Sequence, residues 1–348
     1  MTEPAAVVAP RDSPVAALFP GYFALVMATG IVAVGAGQQD LDVLADGLYA
    51  IAGASYAVLA VLLATRVVRN RQRFVDDLLA HAKGFAFLTV VAAGNVLASG
   101  ALVLYGWRAL AWALWGVSVA LWAPLLYSTL IAAVIRDGKP GLQGGINGTW
   151  FLLTVATQSI AVVAGLLVAG SDHDVLAFVG LCTYTVGIVL YLIVMTMVFL
   201  RWTFHPLEPT EADPPAWIAA GAVAITVLAG SNLLLAAGRG PDRLARVAPF
   251  LEGTVVMAWA TATFWFPLMI AIGVWRHVVR RVPLRYHPSY WAMVFPLGMY
   301  GVATYRMLAA IDLDGFDWLP KLMLAVALAA WAVTFAGLIH ALARRTHP

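Results

Sequence analysis

Phe295, Gly298 or Met299, Val302 and Arg306 recur every three or four residues within one apolar stretch, a spacing that puts them on one face of a helix. The chemistry of such a set is passage, not bond-making. If the face lines a pore, the Phe295 ring blocks it and the Arg306 guanidinium draws anions towards it. Signatures of reaction chemistry are missing: the chain has no HExxH, no GxSxG, no GxxxxGK and no GxGxxG after a strand. The seven histidines lie in loops or near segment ends, so no pair is placed to hold a haem or metal inside a membrane. Neither a metal nor a cofactor is expected, and an enzyme is disfavoured.

The elements that must carry these residues follow from composition. Hydrophobic residues make up 62% of the 348 and charged residues 11%, with a mean hydropathy of +0.86. This is an integral membrane protein. Ten stretches are apolar and long enough to cross, near 19–37, 43–66, 85–106, 110–135, 149–170, 174–200, 216–237, 248–274, 289–309 and 321–342. Met1 to Pro14 holds Glu3, Arg11 and Asp12 but no basic n-region or cleavage site, so the first run is read as a helix that is kept. Residues 1–348 are thus read as a single integral membrane transporter or channel domain, with 1–18 and 343–348 as short cytoplasmic ends.

Orientation comes from Lys and Arg in short loops, which stay on the cytoplasmic side. Arg66, Arg69, Arg71, Arg73 and Lys83 follow the second segment; Arg276, Arg280, Arg281 and Arg285 follow the eighth. Both loops, and both termini, are placed inside, giving a multi-pass protein of the inner or plasma membrane. Arg108, Arg239, Arg243, Arg246, Arg306 and Lys321 fall on or near the other side, where the group around Arg243 runs against the rule. Short acidic links at Asp40, Asp42 and Asp46, at Asp172 and Asp174, and at Asp312, Asp314 and Asp317 lie there too. The net charge of +3 reflects this bias and not nucleic-acid binding, since the basic residues are scattered among short loops. Cys182, the single cysteine, reads as a packing residue of the sixth segment.

The apolar stretches come in pairs. Every first member opens on a turn residue followed by an aromatic: Pro20-Gly21-Tyr22-Phe23, Gly84-Phe85-Ala86-Phe87, Asn147-Gly148-Thr149-Trp150-Phe151, Pro214-Pro215-Ala216-Trp217 and Pro288-Ser289-Tyr290-Trp291. The last aromatics are 64, 64, 66 and 74 residues apart, room for two membrane-crossing helices per repeat. Five helical hairpins in a quasi-fivefold arrangement around a central pore are expected, an all-α membrane fold of ten transmembrane helices. Asn147-Gly148-Thr149 matches a glycosylation sequon but is better read as a turn into the fifth segment.

Superposing the odd-numbered segments on those aromatics without gaps predicts which residues share a level. Four residues on stand Met27, Val91, Val155, Gly221 and Phe295; seven on stand Gly30, Gly94, Gln158, Ala224 and Gly298. Fifteen on, about 22 Å along at 1.5 Å per residue, stand Gln38, Leu102, Leu166, Asn232 and Arg306. Phe295 is the candidate gate, with Gly30, Gly94, Gln158, Gly221, Ala224, Gly298 and Val302 as candidate lining. Arg306, Asn232 and Gln38 form a polar outer mouth. Alternatives stand beside these assignments: transmembrane glycines commonly permit close helix packing, a lone Phe packs or faces lipid, Arg306 at a helix end snorkels, and the 13 tryptophans mainly mark interfacial belts. The middle thirds of all ten segments lack Asp, Glu, Lys, Arg and His, which favours passive conduction over proton coupling.

The run Tyr286-His287-Pro288-Ser289-Tyr290-Trp291-Ala292-Met293-Val294-Phe295-Pro296-Leu297-Gly298-Met299-Tyr300 resembles the tellurite-resistance/dicarboxylate transporter family, as do Pro214-Pro215-Ala216-Trp217-Ile218 and Gly21-Tyr22-Phe23 with Gly30-Ile31-Val32. That family includes bacterial tellurite-resistance proteins, fungal malate and sulfite transporters and the slow anion channels of plant guard cells. The resemblance spans essentially all ten segments, and Trp-Ala-x-x-Phe-Pro is its most specific part. It implies a homotrimer with one pore per subunit, five inner helices around each pore, and a phenylalanine at the position of Phe295 that closes the pore and moves aside on opening. The chain departs from several members in having Leu153 where they carry a proline and Gln158 where they carry an asparagine. The long phosphorylated tails of the plant channels have no counterpart, so kinase control is not carried over. The expected function is an anion channel or permease for small inorganic anions or dicarboxylates; the alternatives are a proton-coupled malate carrier and a sulfite or oxyanion exporter.

Overall fold

The computed structural model describes residues 15, 16, 18–169, 171, 173–209, 211, 213–238 and 241–346. Residues 1–14, Asp172 and Arg239, to which the sequence assigned sides of the membrane, lie outside the described residues. Among those described the chain is all helix, without strands. The helices are α1 (Phe23–Gly37), α2 (Asp42–Arg69), the short α3 (Arg71–Leu78), α4 (Thr89–Tyr105), α5 (Arg108–Ile135), the single turn α6 (Leu142–Gly145), α7 (Leu152–Val168), α8 (Asp174–Phe204), α9 (Ile218–Ala237), α10 (Asp242–Val274), α11 (Trp291–Ala310) and α12 (Trp318–Thr346).

Nine helical stretches among the described residues are long and apolar enough to cross a membrane. The tenth long helix, α11, is not one of them. Its 20 residues include Pro296, Gly298, Tyr300, Gly301, Tyr305 and Arg306, which lower its hydropathy although most of it is buried. Burial divides the spans into two classes. Those containing α1, α4, α7 and α9 are 83 to 94% buried, those containing α2, α5, α8, α10 and α12 only 17 to 39%. With its buried interior α11 joins the first class. The buried helices pack in sequence, α1 on α4, α4 on α7, α7 on α9, α9 on α11 and α11 back on α1, so their contacts close into a ring.

Each ring helix begins with a 3₁₀ turn: Pro20–Tyr22, Gly84–Leu88, Gly148–Phe151, Pro214–Trp217 and Pro288–Tyr290. These are the turn-plus-aromatic motifs of the sequence. Proline fixes φ for the first helical position and has no N–H to leave unpaired, while glycine admits a neighbouring backbone. The turns pack on one another in the same cyclic order as their helices. Gly148 shows why glycine is required, because a Cβ there would lie 2.0 Å from the Pro215 carbonyl oxygen. Asn147 caps this turn by accepting the Thr149 N–H at 2.8 Å, in keeping with the turn reading of the sequon.

Two sets of side-chain bonds hold the outer helices to the ring. Tryptophan N–H groups of outer helices donate to threonine hydroxyls of the next ring helix: Trp122 of α5 to Thr157 of α7 at 3.0 Å, Trp259 of α10 to Thr304 of α11 at 3.0 Å, and Trp331 of α12 to Thr29 of α1 at 2.9 Å. Three of the 13 tryptophans thus serve as ties between helices. In an apolar medium an indole N–H gains from an acceptor, and for these three the acceptor is a neighbouring helix.

The second set is made by arginines where outer helices end. Arg66 of α2 donates to the Leu18 carbonyl at 2.7 Å, just ahead of the α1 turn; Arg136 after α5 donates to Leu79 at 3.2 Å, ahead of the α4 turn. Arg201 of α8 donates to Gln143 at 2.8 Å, ahead of the α7 turn. Each joins the two ends of one hairpin. Arg66 and Arg201 are 1% and 4% exposed, and both are neutralised, by Asp77 and Glu211 respectively. Burial pushes the Asp77 carboxyl up, but hydrogen bonds from Lys83 and Arg66 outweigh it and hold the group below its ordinary range.

Candidate functional site

Where the five 3₁₀ turns meet, they line a small, partly open cavity of about 30 Å³. Gly21, Thr89, Leu152, Ile218 and Ala292 contribute one wall residue from each of the five ring hairpins. Met27 and Phe295 also line it, and by helix register they are its deepest residues, four beyond the opening aromatics Phe23 and Trp291. Phe295 is 1% exposed. Gly221 of α9 faces it: a Cβ at 221 would stand 3.4 Å from Phe295 Cδ1 and 2.8 Å from Pro296 Cγ. The glycine leaves room for the Phe295–Pro296 shoulder of α11.

The level three residues beyond Phe295 and its counterparts is less uniform than the ungapped superposition predicts. A Cβ at Gly30 would meet Val96 of α4, and one at Gly94 would meet Ser118 of α5 and Tyr56 of α2. Gln158 donates its Nε2 to the Tyr184 carbonyl of α8 at 3.0 Å, lying against Gly187. These three serve contacts between helices. Ala224 is fully buried in α9, and Gly298 abuts Ile31 and Val32 of α1.

One residue further along, Asn95 of α4 donates to the Ser159 hydroxyl of α7 at 2.8 Å, and Ser159 donates to the Ala156 carbonyl at 2.7 Å. The buried oxygens of Asn95, Thr154, Gln158 and Ser231 lack hydrogen-bond partners among the described residues. Sequence reasoning missed Asn95 and Ser159. The signal was present, because the same superposition moved on by one residue reads Ile31, Asn95, Ser159, Ile225 and Met299.

Towards the other end of the ring, the expected outer-mouth residues separate into two places. Arg306 donates its Nε to Asn232 Oδ1 at 3.0 Å, and Asn232 donates its Nδ2 to the Val162 carbonyl at 3.3 Å, so α11, α9 and α7 are linked in turn. Gln38 instead lines a cleft of about 10 Å³ between α1, α11 and α12, together with Gly298 and Val302. Glu252 is exposed, well inside α10, because that helix begins at Asp242 and not near 248.

A further polar group stands at the end where the turns lie. Asp213 immediately precedes the Pro214–Trp217 turn, whose Pro215 lines the deep cavity. Burial pushes its carboxyl up to about 6, with Arg276 pulling the other way. No group of three or more His, Cys, Asp or Glu among the described residues could hold a metal ion.

A family model described as SLAC1, voltage-dependent anion channel, matches residues 17–339. An uncharacterised membrane protein of Mycobacterium tuberculosis strain H37Rv is 41% identical over 154 residues, covering 44% of this chain and 77% of the relative. An uncharacterised transporter of Methanocaldococcus jannaschii is 22% identical over 327 residues, 90% of each chain. A sulfite efflux pump of Trichophyton rubrum is 23% identical over 343 residues, 91% of this chain and 88% of the pump.

Proposed function

We infer the mechanism from one premise: this chain belongs to the SLAC1 family of voltage-dependent anion channels and is a membrane anion transporter. The names carried by the family and the relatives are those of channels and transporters, not of enzymes. Our reading is a channel. Ten helices cross the bilayer as five hairpins, with α1, α4, α7, α9 and α11 around a conduit and both termini in the cytoplasm. The cyclic packing of the buried helices supports this arrangement, and the turn motifs open the conduit on the cytoplasmic side.

One observation carries the reading: Phe295 lies at the bottom of a cavity to which all five hairpins contribute. The aromatic ring closes the path, and its displacement opens it. Along the rest of the path no carboxylate or imidazole among the described residues stands ready to bind a coupling proton, so anions move down their gradient at a cost set by dehydration. Gly221 shapes the gate, Gly298 and Val302 lie beyond it, and Asn232 and Arg306 set the field at the far mouth. The physiological assembly is a homotrimer with a conduit in each subunit, a state that rests on family resemblance.

A second reading, export of sulfite or a related oxyanion, is favoured by the sulfite efflux pump of Trichophyton rubrum, which aligns along nearly the whole chain. Purified protein in proteoliposomes under defined gradients of chloride, nitrate, sulfite and malate tests both. Flux that follows the electrochemical gradient and rises in Phe295→Ala supports the channel. Concentrative uptake or export driven by an imposed pH gradient would replace it with a coupled carrier.

A further inference from the structure

Between α10 and α11 the chain makes a built basic loop. A π turn, Trp275–Val279, extends α10; Arg280 N–H then donates back to the Trp275 carbonyl at 2.8 Å, and Arg281 adopts a left-handed φ of 54°. Val282 N–H donates to the Arg276 carbonyl at 3.1 Å, and His277 Nδ1–H donates to the Val282 carbonyl at 2.9 Å. The loop is thus folded on itself, with Arg280, Arg281 and Arg285 all exposed.

Three features of this loop belong together. Residues 275–287 hold four arginines and two histidines but no acid, and the Asp213 carboxylate interacts with Arg276. The comparable basic segment at α3 differs, because it contains Asp76 and Asp77. Next, the exposed apolar stripe of α10 does not stop at the helix end: Ile270, Val274 and Val278 follow at four-residue spacing, each at least half exposed, and Val279 and Leu284 are 64% and 75% exposed. Finally, the Arg280 guanidinium lies 5.4 Å from the ring centre of Trp275, a residue type that anchors at the bilayer interface. Valines and a leucine displayed beside exposed basic charge are costly in water and suited to the boundary between headgroups and acyl chains.

We propose that this loop is a binding surface for anionic phospholipid, with Arg280, Arg281 and Arg285 on headgroup phosphates and Val278, Val279 and Leu284 seated in the acyl boundary. The stripe continuous with the lipid-facing side of α10 favours lipid over a soluble protein partner. The loop leads through Tyr286 and His287 directly into the turn that begins α11, and Tyr286 accepts the Trp291 indole N–H at 3.3 Å. Lipid held there bears on the helix that carries Phe295. The binding surface does not depend on which anion crosses or on how the path is gated.

The test is native mass spectrometry of the full-length protein in detergent, titrated with phosphatidylglycerol or phosphatidylcholine. Each arginine near an anionic surface strengthens attraction by a factor of about five, so the triple variant R280A/R281A/R285A should bind phosphatidylglycerol about a hundredfold more weakly. R280K/R281K/R285K should retain binding, and R243A/R246A, at the other end of the molecule, should match wild type. The lysine variant keeps the test decisive where the alanine variant fails to fold. Equal binding of the two lipids, undiminished phosphatidylglycerol binding by the alanine variant, loss of binding by a folded lysine variant, or displacement of the lipid by inorganic phosphate would each overturn the proposal. A readout of bound lipid is independent of ion flux, so its failure leaves the channel reading standing.

Discussion

Gly221 and Phe295 meet across the α9–α11 contact at a distance that admits no methyl group without movement, since a Cβ on 221 would come within 2.8 Å of Pro296 and 3.4 Å of the Phe295 ring. Gly221→Ala is therefore expected to push the Phe295 shoulder away from α9, at a cost of about 1 to 3 kcal/mol for overpacking. Its anion flux in proteoliposomes should differ from wild type in the same direction as that of Phe295→Ala. Opposite effects from the two variants would separate Gly221 from the gate.

Phe295→Ala should raise flux for every permeant anion while lowering stability by about 3 kcal/mol, the usual range for removing a buried aromatic. Flux measured against the amount of folded, reconstituted protein checks this. Unchanged flux in an inserted variant would leave Phe295 as a packing residue.

Arg306→Ala removes the donor to Asn232 and a positive charge at the far end of the ring. The expected result is a shift in relative permeability between chloride and nitrate, read from reversal potentials under bi-ionic conditions. Asn232→Ala leaves the charge and breaks the same bond. If both variants alter stability alone and reversal potentials stay fixed, Arg306 is a tie between helices and not a source of field.

The Asp213 carboxyl, raised by burial from 3.8 to about 6, makes a signed prediction. Because the folded protein holds this proton more tightly than the unfolded chain, folding takes up a proton between pH 4 and 6. The group's contribution to stability is then most favourable below its unfolded value and is lost as pH rises through about 6. Asp213→Asn should flatten that part of the pH–stability profile, measured by thermal unfolding in detergent. A wild-type profile with no fall between pH 4 and 6 that responds to the substitution would contradict the assignment.

Arg66→Ala should cost about 3 kcal/mol, because it strips the Leu18 carbonyl of its donor and leaves the half-buried Asp77 to Lys83 alone. Arg66→Lys keeps the charge but cannot reach both acceptors with a planar fork, so it should fall between alanine and wild type. Thermal shifts of the three proteins, compared at pH 7, decide the order.

Much of this architecture is legible in the chain because the entry turns use residue types that few other backbones require. Proline or glycine followed by an aromatic marks every ring helix, and the structure puts a 3₁₀ turn at each. Lining residues are harder to read. Gly94 and Gln158 sit one position away from Asn95 and Ser159, and a helix turns by 100° per residue, so a register error of one carries a residue from a contact between ring helices to one against an outer helix. The arginine clasps were hidden for another reason. Arg66 and Arg201 look like ordinary positive-inside charges, and only their burial and carbonyl partners, some fifty residues back in the chain, reveal a second role.

The clasps and the tryptophan ties divide the work of assembly by time. Arg66, Arg136 and Arg201 close hairpins on themselves, using partners already synthesised when the outer helix emerges. Trp122 and Trp259 wait for a threonine on a helix that has not yet been made, and Trp331, on the last helix, finds Thr29 on the first. A nascent chain can thus release finished hairpins into the bilayer one after another as it leaves the ribosome. The circle closes only when α11 packs back on α1, and Trp331 of α12 then ties the last hairpin to the first, so a product truncated before α11 would carry complete hairpins and no closed ring.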